Sequence, residues 1–358
     1  MPVVLSGTNG VTFPDSSLQA AAASPYVLKN RIINGAMVID QRNAGASVNP
    51  ASGQYTLDRW SIFVAQTSKL TIQQNAGSVT PPAGFTNYLG VTSSAATAVG
   101  STDFYYIRHL IEGYNVSDLD FGTANAKTVT LSFWVRSSLT GTFGGSLRNS
   151  ANNRSYPFSY TISAANTWEL KSITITGDTT GTWLTTNGTG LDISFSLGMG
   201  STYSGTAGAW AATNYASTTG ATNVVSTNGA TFYITGVQLE VGTSATPFER
   251  RLYNQELASC QRYYERINSV YATCSNGGFS NSYASYLKYA VTKRTDAAPI
   301  IYSGQSLTGT AGSATWYPGT TVAAVNTEIN TTDTYMFART GTSTYNLCTF
   351  SASISAEL

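Results

Sequence analysis

The sequence predicts an all-β fold, in which a short helix joins an antiparallel jelly-roll sandwich to a smaller C-terminal β-domain. Strand-like runs recur between residues 31 and 241, and turns rich in Gly, Asn and Ser separate them. One stretch after residue 245 has the periodicity of a helix, and strand-like runs return beyond residue 270. A chain of 358 residues is long enough for two or three domains.

Residues 1–30 form the first predicted unit, an N-terminal segment. Its apolar residues are too few to build a core of its own. We therefore expect this segment to dock on its own domain, on sister chains or on a larger assembly.

Residues 31–244 are assigned to the jelly roll. The clearest strand is 128–137, TVTLSFWVRS, in which side chains alternate between two faces. The core face is formed by Val129, Leu131, Phe133 and Val135. Trp134 and Arg136 lie on the opposite face.

A second clear strand is predicted at residues 232–241. Within it, Ile234 and Val237 are out of step across Gly236. A β-bulge at this glycine restores the alternation, because a bulge inserts one extra residue into a strand.

Residues 245–270 are predicted to be an irregular bridge followed by a short helix. Spacings of four, three, four and three place five residues on one helical stripe: Tyr253, Leu257, Cys260, Tyr264 and Ile267. Two helix starts fit, a capping box at 246–249 and an N-cap at Asn254, and we favour the later one. The stripe packs either on its own sandwich or against two other copies around an axis, with Cys260 as a small core residue.

Residues 271–358 are assigned to the C-terminal β-domain. Strand-like runs occur at 282–292, 334–338 and 347–354, with Thr-, Gly- and Asn-rich loops between them. Apolar residues are sparse here, so the domain is marginal alone and self-association would stabilise it.

Composition argues against several function classes. Charged residues make up 10% of the chain and the net charge is +1, so no nucleic-acid partner is predicted. No apolar run has the length of a membrane helix, so no membrane insertion is predicted, and the start lacks the features of a signal peptide. The 3 cysteines do not fit a secreted disulfide scaffold. We therefore expect synthesis in a cytosol. A Thr-, Gly- and Asn-rich, Lys-poor surface resembles that of proteins that work outside cells, and release by lysis would reconcile the two.

Few residues fit a catalytic centre. His109 is the sole histidine and no nucleophile elbow accompanies it, so we interpret it as a structural residue. Asp118 and Asp120 are a close acidic pair of the kind that glycoside cleavage needs. Their Ser- and Gly-containing surroundings are typical of a turn, and we favour a structural or calcium-type role. No cofactor is predicted, and no metal ligand set can be named.

Sugar binding has better candidates, because aromatic rings offer apolar faces while amide, carboxylate and guanidinium groups meet hydroxyls. Trp134 and Arg136 form an aromatic and polar platform if their strand neighbours one that carries Tyr233, Gln238 and Glu240 on the same side. The alternative is that the tryptophan packs beneath a loop or a neighbouring subunit. Further candidates lie in loops or in the C-terminal domain: Trp183, Trp210, Tyr317 and Tyr345.

Eight strings follow one another along the chain: GTNGVTFPDSSLQ, NRIINGAMVIDQR, DRW, VTLSFWVRSS, FYITGVQLEVG, TPFERR, ELASCQRYYER and ISAEL. Together they resemble bacteriophage tail-fibre and related virion proteins, which are built around a jelly roll similar to carbohydrate-binding modules. The resemblance covers most of residues 1–270 and the last few, and it does not extend to 301–345. It implies that the N-terminal segment attaches to other virion proteins, that the protein is a homotrimer and that a distal tip meets the host surface.

The predicted function is therefore host attachment by a virion tail fibre, a receptor-binding protein that binds cell-surface carbohydrate without covalent chemistry. A trimer would strengthen weak sugar contacts by a factor of roughly a hundred or more through avidity. A purely structural role in a head fibre or baseplate stays open, and a glycan depolymerase is the third alternative. The predicted location is the virion.

Overall fold

The computed structural model describes residues 4–6, 10–12, 18–19, 29–274, 282–295, 299–301, 307–308, 333–339 and 347–358. Side chains are described for 29–266, 289–295 and 355–358. A three-stranded antiparallel sheet comes first: β1 (Val4–Ser6), β2 (Gly10–Thr12) and β3 (Leu18–Gln19).

The central strands are β4 (Gln54–Leu57), β5 (Trp60–Val64), β6 (Leu70–Gln74), β7 (Leu89–Ser93), β8 (Phe104–Glu112), β9 (Val129–Ser137), β10 (Gly141–Arg148), β11 (Ser155–Ile162), β12 (Glu169–Ile175), β13 (Thr189–Met199), β14 (Ser204–Gly205), β15 (Ser217–Thr218) and β16 (Thr231–Val241). Next comes the helix α1 (Tyr253–Gln261). The last strands are β17 (Tyr264–Cys274), β18 (Ser282–Lys288), β19 (Pro299–Ile301), β20 (Leu307–Thr308), β21 (Asp333–Arg339) and β22 (Leu347–Ser355).

Two antiparallel sheets form a sandwich. The larger has the order β11-β10-β13-β8-β5-β4, and the smaller has the order β12-β9-β16-β7-β6. The chain crosses repeatedly from one sheet to the other, which confirms the predicted jelly roll. The short parallel pair of β14 and β15 packs beside β10, β11 and β13.

Large aromatic side chains fill the space between the two sheets. Trp60, Phe133, Phe158, Phe195 and Phe232 are all essentially inaccessible to solvent. Burying a side chain of this size stabilises a fold by about 1.5–3 kcal/mol. The predicted core face of β9 is confirmed, because its four alternating apolar residues all belong to this core.

The predicted bulge in β16 is also confirmed. The pairing of β16 with β9 shifts register between Thr235 and Gln238, and Gly236 has a φ of 61°. A Cβ atom at Gly236 would lie 2.6 Å from Cζ of Phe85, closer than real contacts allow. Glycine is therefore required here both for its backbone conformation and for space.

We expect Gly236→Ala to lower the free energy of unfolding by about 2–3 kcal/mol, because it adds a steric clash to left-handed backbone strain. Gly229 is a matched control: its φ is 76°, but no atom lies within 4 Å of an added Cβ. Gly229→Ala should lower the free energy of unfolding by only about 1–2 kcal/mol, because it adds left-handed backbone strain without a clash. Urea unfolding of both variants tests this, and equal losses would contradict the role of Phe85.

The predicted helix needs a correction. It begins at Tyr253 with Leu252 as its N-cap, earlier than the favoured start, because the side chain of Gln255 accepts a hydrogen bond from the Leu252 N–H. It ends at Gln261, so Tyr264 and Ile267 belong to β17 and the five residues do not form one helical stripe. The helix stops because the next two side chains turn towards the sandwich.

Those two side chains, Arg262 and Tyr263, both bind Glu112 at the end of β8. The guanidinium donates at 2.6 and 2.9 Å, and the phenol donates at 2.6 Å. β17 then begins and pairs with β22, with Tyr264 opposite Ser355. The final sheet has the order β19-β22-β17-β18-β21, and β20 also pairs with β22. The predicted domain boundaries themselves stay a prediction.

The last residues of the chain return to the sandwich at the same place. Glu357 pairs with Arg42 and with Arg59, which is 1% exposed. The Arg59 guanidinium also donates to the Leu110 carbonyl and lies 3.6 Å from the centroid of the Tyr263 ring. These contacts fasten the C-terminal strands to the sandwich, and we call them the joint.

Candidate functional site

The outer face of the six-stranded sheet carries aromatic and charged side chains side by side. Strand alternation sends Trp60, Ile107 and Phe195 into the core and their neighbours outward. Five of the outward side chains meet across β5, β8, β13 and β10, and we call them the outer-face cluster: Phe63, Tyr106, Arg108, Asp192 and Arg148.

Aromatic rings form one half of the outer-face cluster and its border. Phe63 and Tyr106 are cross-strand partners, and their rings are stacked with centroids 5.1 Å apart. The Phe104 ring lies 6.2 Å from Tyr106 and 5.9 Å from Tyr203. Tyr106 is 8% exposed, whereas the other three side chains are half-buried and reach solvent. The surface is therefore preorganised, with open edges.

Two arginines and one carboxylate form the charged half. Oδ2 of Asp192 lies 2.9 Å from Nη2 of Arg108 and accepts a 2.7 Å hydrogen bond from Nη2 of Arg148. The Arg108 guanidinium also lies 5.1 Å from the Phe63 ring, and that of Arg148 lies 5.3 Å from the Tyr106 ring. Burial opposes the charge of Arg148, but Asp192 raises its pKa. Each guanidinium is thus fixed between a carboxylate and a ring.

Some polar atoms of the outer-face cluster have no hydrogen-bond partner within the described part of the chain: Nε of Arg108, Nε of Arg148 and Oδ1 of Asp192. On one side the cluster is covered, because Arg148 donates to Asn214 at 2.9 Å and Ser194 donates to the Ala216 carbonyl at 3.0 Å. On the other side Arg108 remains partly open. Arg108 lies at this open side over the Phe63 ring, an arrangement that suits a ligand with both polar groups and apolar faces.

The same face continues towards the joint through further arginine and tyrosine contacts. The Arg42 guanidinium lies 5.1 Å from the Tyr55 ring and 3.7 Å from the Tyr264 ring. Burial and the nearby Glu357 carboxylate raise the pKa of Tyr55 to about 12, so the phenol is neutral at ordinary pH. The outer face therefore links the outer-face cluster to the C-terminal strands.

Trp134 and Arg136 lie on the other sheet, whose outer face points away from the outer-face cluster. Trp134 is half-buried next to Gly236, and its cross-strand neighbour Leu170 is 55% exposed. The Arg136 guanidinium lies 5.4 Å from the Tyr233 ring. A role of Trp134 and Arg136 in sugar binding stays a prediction.

Tyr233, Gln238 and Glu240 do not form the open platform that the sequence predicts, because all three are buried. The N–H and hydroxyl of Thr246 donate to Glu240 at 2.8 and 2.7 Å, and the N–H of Glu249 donates to Gln238 at 2.8 Å. The segment after β16 thus folds back over this part of the sheet. The strand pattern places these side chains on the correct face but cannot reveal that the chain returns to cover it.

Trp183 and Trp210 meet each other, with ring centroids 5.4 Å apart and nearly perpendicular planes. The Phe121 ring lies 5.0 Å from Trp183 and 5.9 Å from Trp210. Both tryptophans are half-buried against the sandwich core. The structure brings these two candidates together, whereas Tyr317 and Tyr345 lie outside the described residues.

Among the residues of the predicted oligomer contact, Tyr253 is 61% exposed, Leu257 is half-buried and Cys260 is buried. Cys260 packs as a small core residue, and burial raises the pKa of its thiol well above the usual value. Contact between copies through these residues, Tyr264 and Ile267 stays a prediction.

The remaining candidates have structural surroundings. His109 is buried with its ring 4.7 Å from Trp60, and burial lowers its pKa well below the usual value. Asp118 accepts a 2.6 Å hydrogen bond from Arg31, and Asp120 has left-handed backbone at the end of a short 3-10 turn. Within the described residues no group of three or more His, Cys, Asp and Glu could hold a metal ion. No described helix is both long and apolar enough to cross a membrane.

The outer-face cluster is not among the sites that the sequence predicts. Its signal is present in FYYIRHLIE, where Phe104, Tyr106 and Arg108 alternate with core residues. The pairing of Arg108 and Arg148 with Asp192 depends on which strands are neighbours, and no local pattern reveals that.

Comparison with known proteins gives distant structural likeness. No protein-family model and no curated protein matches the sequence. A family 11 carbohydrate-binding module from Clostridium thermocellum, solved with a mixed-linked tetrasaccharide, is 11% identical with a TM-score of 0.28, covering 55% of this chain and 96% of the module. A CBM4 structure is 15% identical with a TM-score of 0.30, covering 59% and 99%.

A phage protein is among the similar structures. The enzymatically active domain of tailspike protein 4 of bacteriophage CBA120 is 14% identical with a TM-score of 0.33, covering 59% of this chain and 21% of the tailspike chain. This chain therefore matches about a fifth of that structure. All three likenesses concern the β-sandwich fold and bring neither ligand nor activity to this chain.

Proposed function

We propose that the protein binds a cell-surface glycan through the outer-face cluster. One observation carries the proposal: Arg108 and Arg148 are each held between Asp192 and an aromatic ring on the outward side of a sheet. A sugar ring has an apolar face that stacks on Phe63 and hydroxyls that accept from a guanidinium. A sheet holds such groups in place before the ligand arrives, which lowers the entropy cost of binding.

The proposed activity is binding without covalent chemistry. Glycoside hydrolysis generally uses two carboxyl groups about 5–10 Å apart. In the outer-face cluster the one carboxylate is Asp192, and two arginines occupy one of its oxygens. Such a carboxylate is suited to orienting arginines, and this supports recognition in place of cleavage.

The biological setting that we propose is a trimeric phage fibre that attaches the virion to its host. The resemblance of eight ordered strings to tail-fibre proteins supports this setting. In a trimer, three outer-face clusters would act together, so that weak sites give firm attachment. The N-terminal segment would connect the fibre to other virion proteins.

Removal of the Arg108 side chain tests the proposed site. We expect Arg108→Ala to weaken binding to an array of bacterial surface polysaccharides by about ten- to a hundredfold, the loss of one charged hydrogen bond. Arg250→Ala is the matched control, because this arginine also lies over a ring, 4.7 Å from Phe85, but away from the outer-face cluster. The control should bind like the wild type.

A third variant, Arg136→Ala, distinguishes the two sheets. If it abolishes binding and Arg108→Ala does not, the glycan lies on the five-stranded face and the proposed site is wrong. Equal binding by all variants would also contradict the proposal. Near-ultraviolet circular dichroism verifies that each variant is folded.

A structural role has an observation of its own. Leu252 and Tyr253, at the start of α1, are 74% and 61% exposed, as expected for side chains that pack in an assembly. Adsorption interference decides between the roles: host cells are saturated with the purified trimer, and attached phage are counted. A dose-dependent fall supports host attachment, whereas undiminished attachment supports the structural role.

A further inference from the structure

A small cavity lies at one end of the sandwich, away from the outer-face cluster. It measures about 120 Å³ and is bounded by the turn at 117–123 and the loop at 183–185. Leu119 and Leu191, both buried, form its apolar floor. The cavity is much smaller than the roughly 300–1,000 Å³ pockets that enclose larger ligands, so it fits one small ring.

The aromatic wall of this cavity is held rigidly. Nε1 of Trp183 donates to the Thr180 carbonyl at 3.0 Å, and Phe121 and Trp210 contact the indole edge to face at 5.0 and 5.4 Å. An indole that is fixed on several sides loses little rotamer freedom when a ligand stacks on it. Trp210 supports the wall but does not line the cavity.

Polar groups surround the entrance. Ser117, Asp120, Thr123 and Thr185 line the cavity together with the aromatic wall. The Asp120 carboxylate is exposed, and its oxygen lies 3.6 Å from Nζ of Lys127. A carboxylate that faces solvent at the edge of an apolar cavity can accept hydrogen bonds from two neighbouring hydroxyls.

We infer that this cavity binds a single pyranose residue, such as a terminal or branch sugar. One face of the ring would stack on Trp183, and its hydroxyls would donate to Asp120. This inference rests on the proposed glycan-binding function and adds a second site to the same sandwich. The outer-face cluster would bind several consecutive sugar residues of a glycan, and the cavity would bind one sugar at a chain end or a branch.

Saturation-transfer NMR with four probes tests the inference: methyl α-glucoside, methyl β-galactoside, methyl α-rhamnoside and N-acetylglucosamine. We expect at least one probe to receive saturation from the wild-type protein. Thr185→Trp fills the cavity and should reduce that signal at least tenfold. Thr186→Trp is the matched control, because Thr186 is also exposed but does not line the cavity, and it should keep the signal.

Asp120→Asn provides a second test that does not depend on packing, since this side chain is exposed and should leave the fold intact. We expect it to weaken binding of the same probe several-fold. Binding of no probe, or a signal that survives Thr185→Trp, would overturn the inference.

The outcomes also separate the two sites. Polysaccharide binding that is lost in Arg108→Ala but unchanged in Thr185→Trp and Asp120→Asn upholds the proposed function and overturns the inference. Probe binding that is lost in Thr185→Trp and kept in Arg108→Ala supports the cavity, whatever the result at the outer-face cluster.

Discussion

Replacement of Arg59 by methionine is expected to lower the free energy of unfolding by about 3–5 kcal/mol, the usual cost of breaking a buried ion pair. The change leaves Glu357 beside the joint with one arginine instead of two, and it removes the donor to the Leu110 carbonyl. Burial opposes the charge of Arg59, but Glu357 raises its pKa, so the arginine is charged in the folded protein. Denaturant unfolding measures the loss.

Arg42→Met is the comparison for this experiment. Arg42 pairs with the same carboxylate, but its side chain is more exposed than that of Arg59. We expect a loss of about 1–2 kcal/mol, because solvent screens the more open pair. A loss for Arg59→Met that is no greater than for Arg42→Met would show that the buried pair does not hold the joint together.

The second large effect concerns pH and the buried Asp58 carboxylate. Burial raises its pKa from 3.8 to about 6, although Arg42 and hydrogen bonds from Gln41 oppose the rise. The folded protein therefore binds a proton more tightly than the unfolded chain does. The stabilisation that this tighter proton binding by Asp58 provides is complete below about pH 4 and is lost as the pH rises through 6. At about 1.4 kcal/mol for each pKa unit, the change is on the order of 3 kcal/mol.

The variant Asp58→Asn isolates this effect from other titrations, and Glu112→Gln provides a comparison. The difference in unfolding free energy between the wild type and Asp58→Asn should fall as the pH is raised from 4 to 6.5. For Glu112 the pH dependence has the opposite sign. Burial raises the pKa of this carboxyl, but the hydrogen bonds from Arg262 and Tyr263 lower it by more, so the net pKa is below its usual value. The difference between the wild type and Glu112→Gln should therefore fall as the pH is lowered. Two curves of the same sign would contradict this account.

Parts of the fold are predictable from the sequence because they depend on local pattern. Alternation in β9 identifies its core face, and the break in alternation at Gly236 identifies a bulge. Both signals involve neighbouring residues in one strand. Steric rules that act within a few residues leave their mark directly in the sequence.

Other features depend on contacts between distant residues, and the sequence pattern misleads there. The apolar spacing after Tyr253 continues through Tyr264 and Ile267, but Glu112 binds the side chains that follow the helix, and the chain turns into a strand. Arg59 has a φ of 70°, a conformation that tight hairpins usually reserve for Gly or Asn. Its side-chain contacts at the joint account for this exception.

The candidate site follows the same division. The sequence indicates that aromatic and polar side chains lie on outer faces, but it favours Gln238 and Glu240, which the returning chain buries. The outer-face cluster forms only when four strands come together. Two of its members, Phe63 and Asp192, are more than a hundred residues apart in the sequence. Strand order is a property of the whole sandwich, and one chain pattern does not determine it.

The pairing of Tyr264 with Ser355 places the start and the end of the C-terminal region side by side. The chain leaves the joint at one strand and comes back on the adjacent antiparallel strand, so the distance between the two attachment points is set by a single rung of the ladder. A change in the length of the sequence between β17 and β22 therefore leaves the distance between these two attachment points unchanged, as long as Tyr264 and Ser355 remain paired.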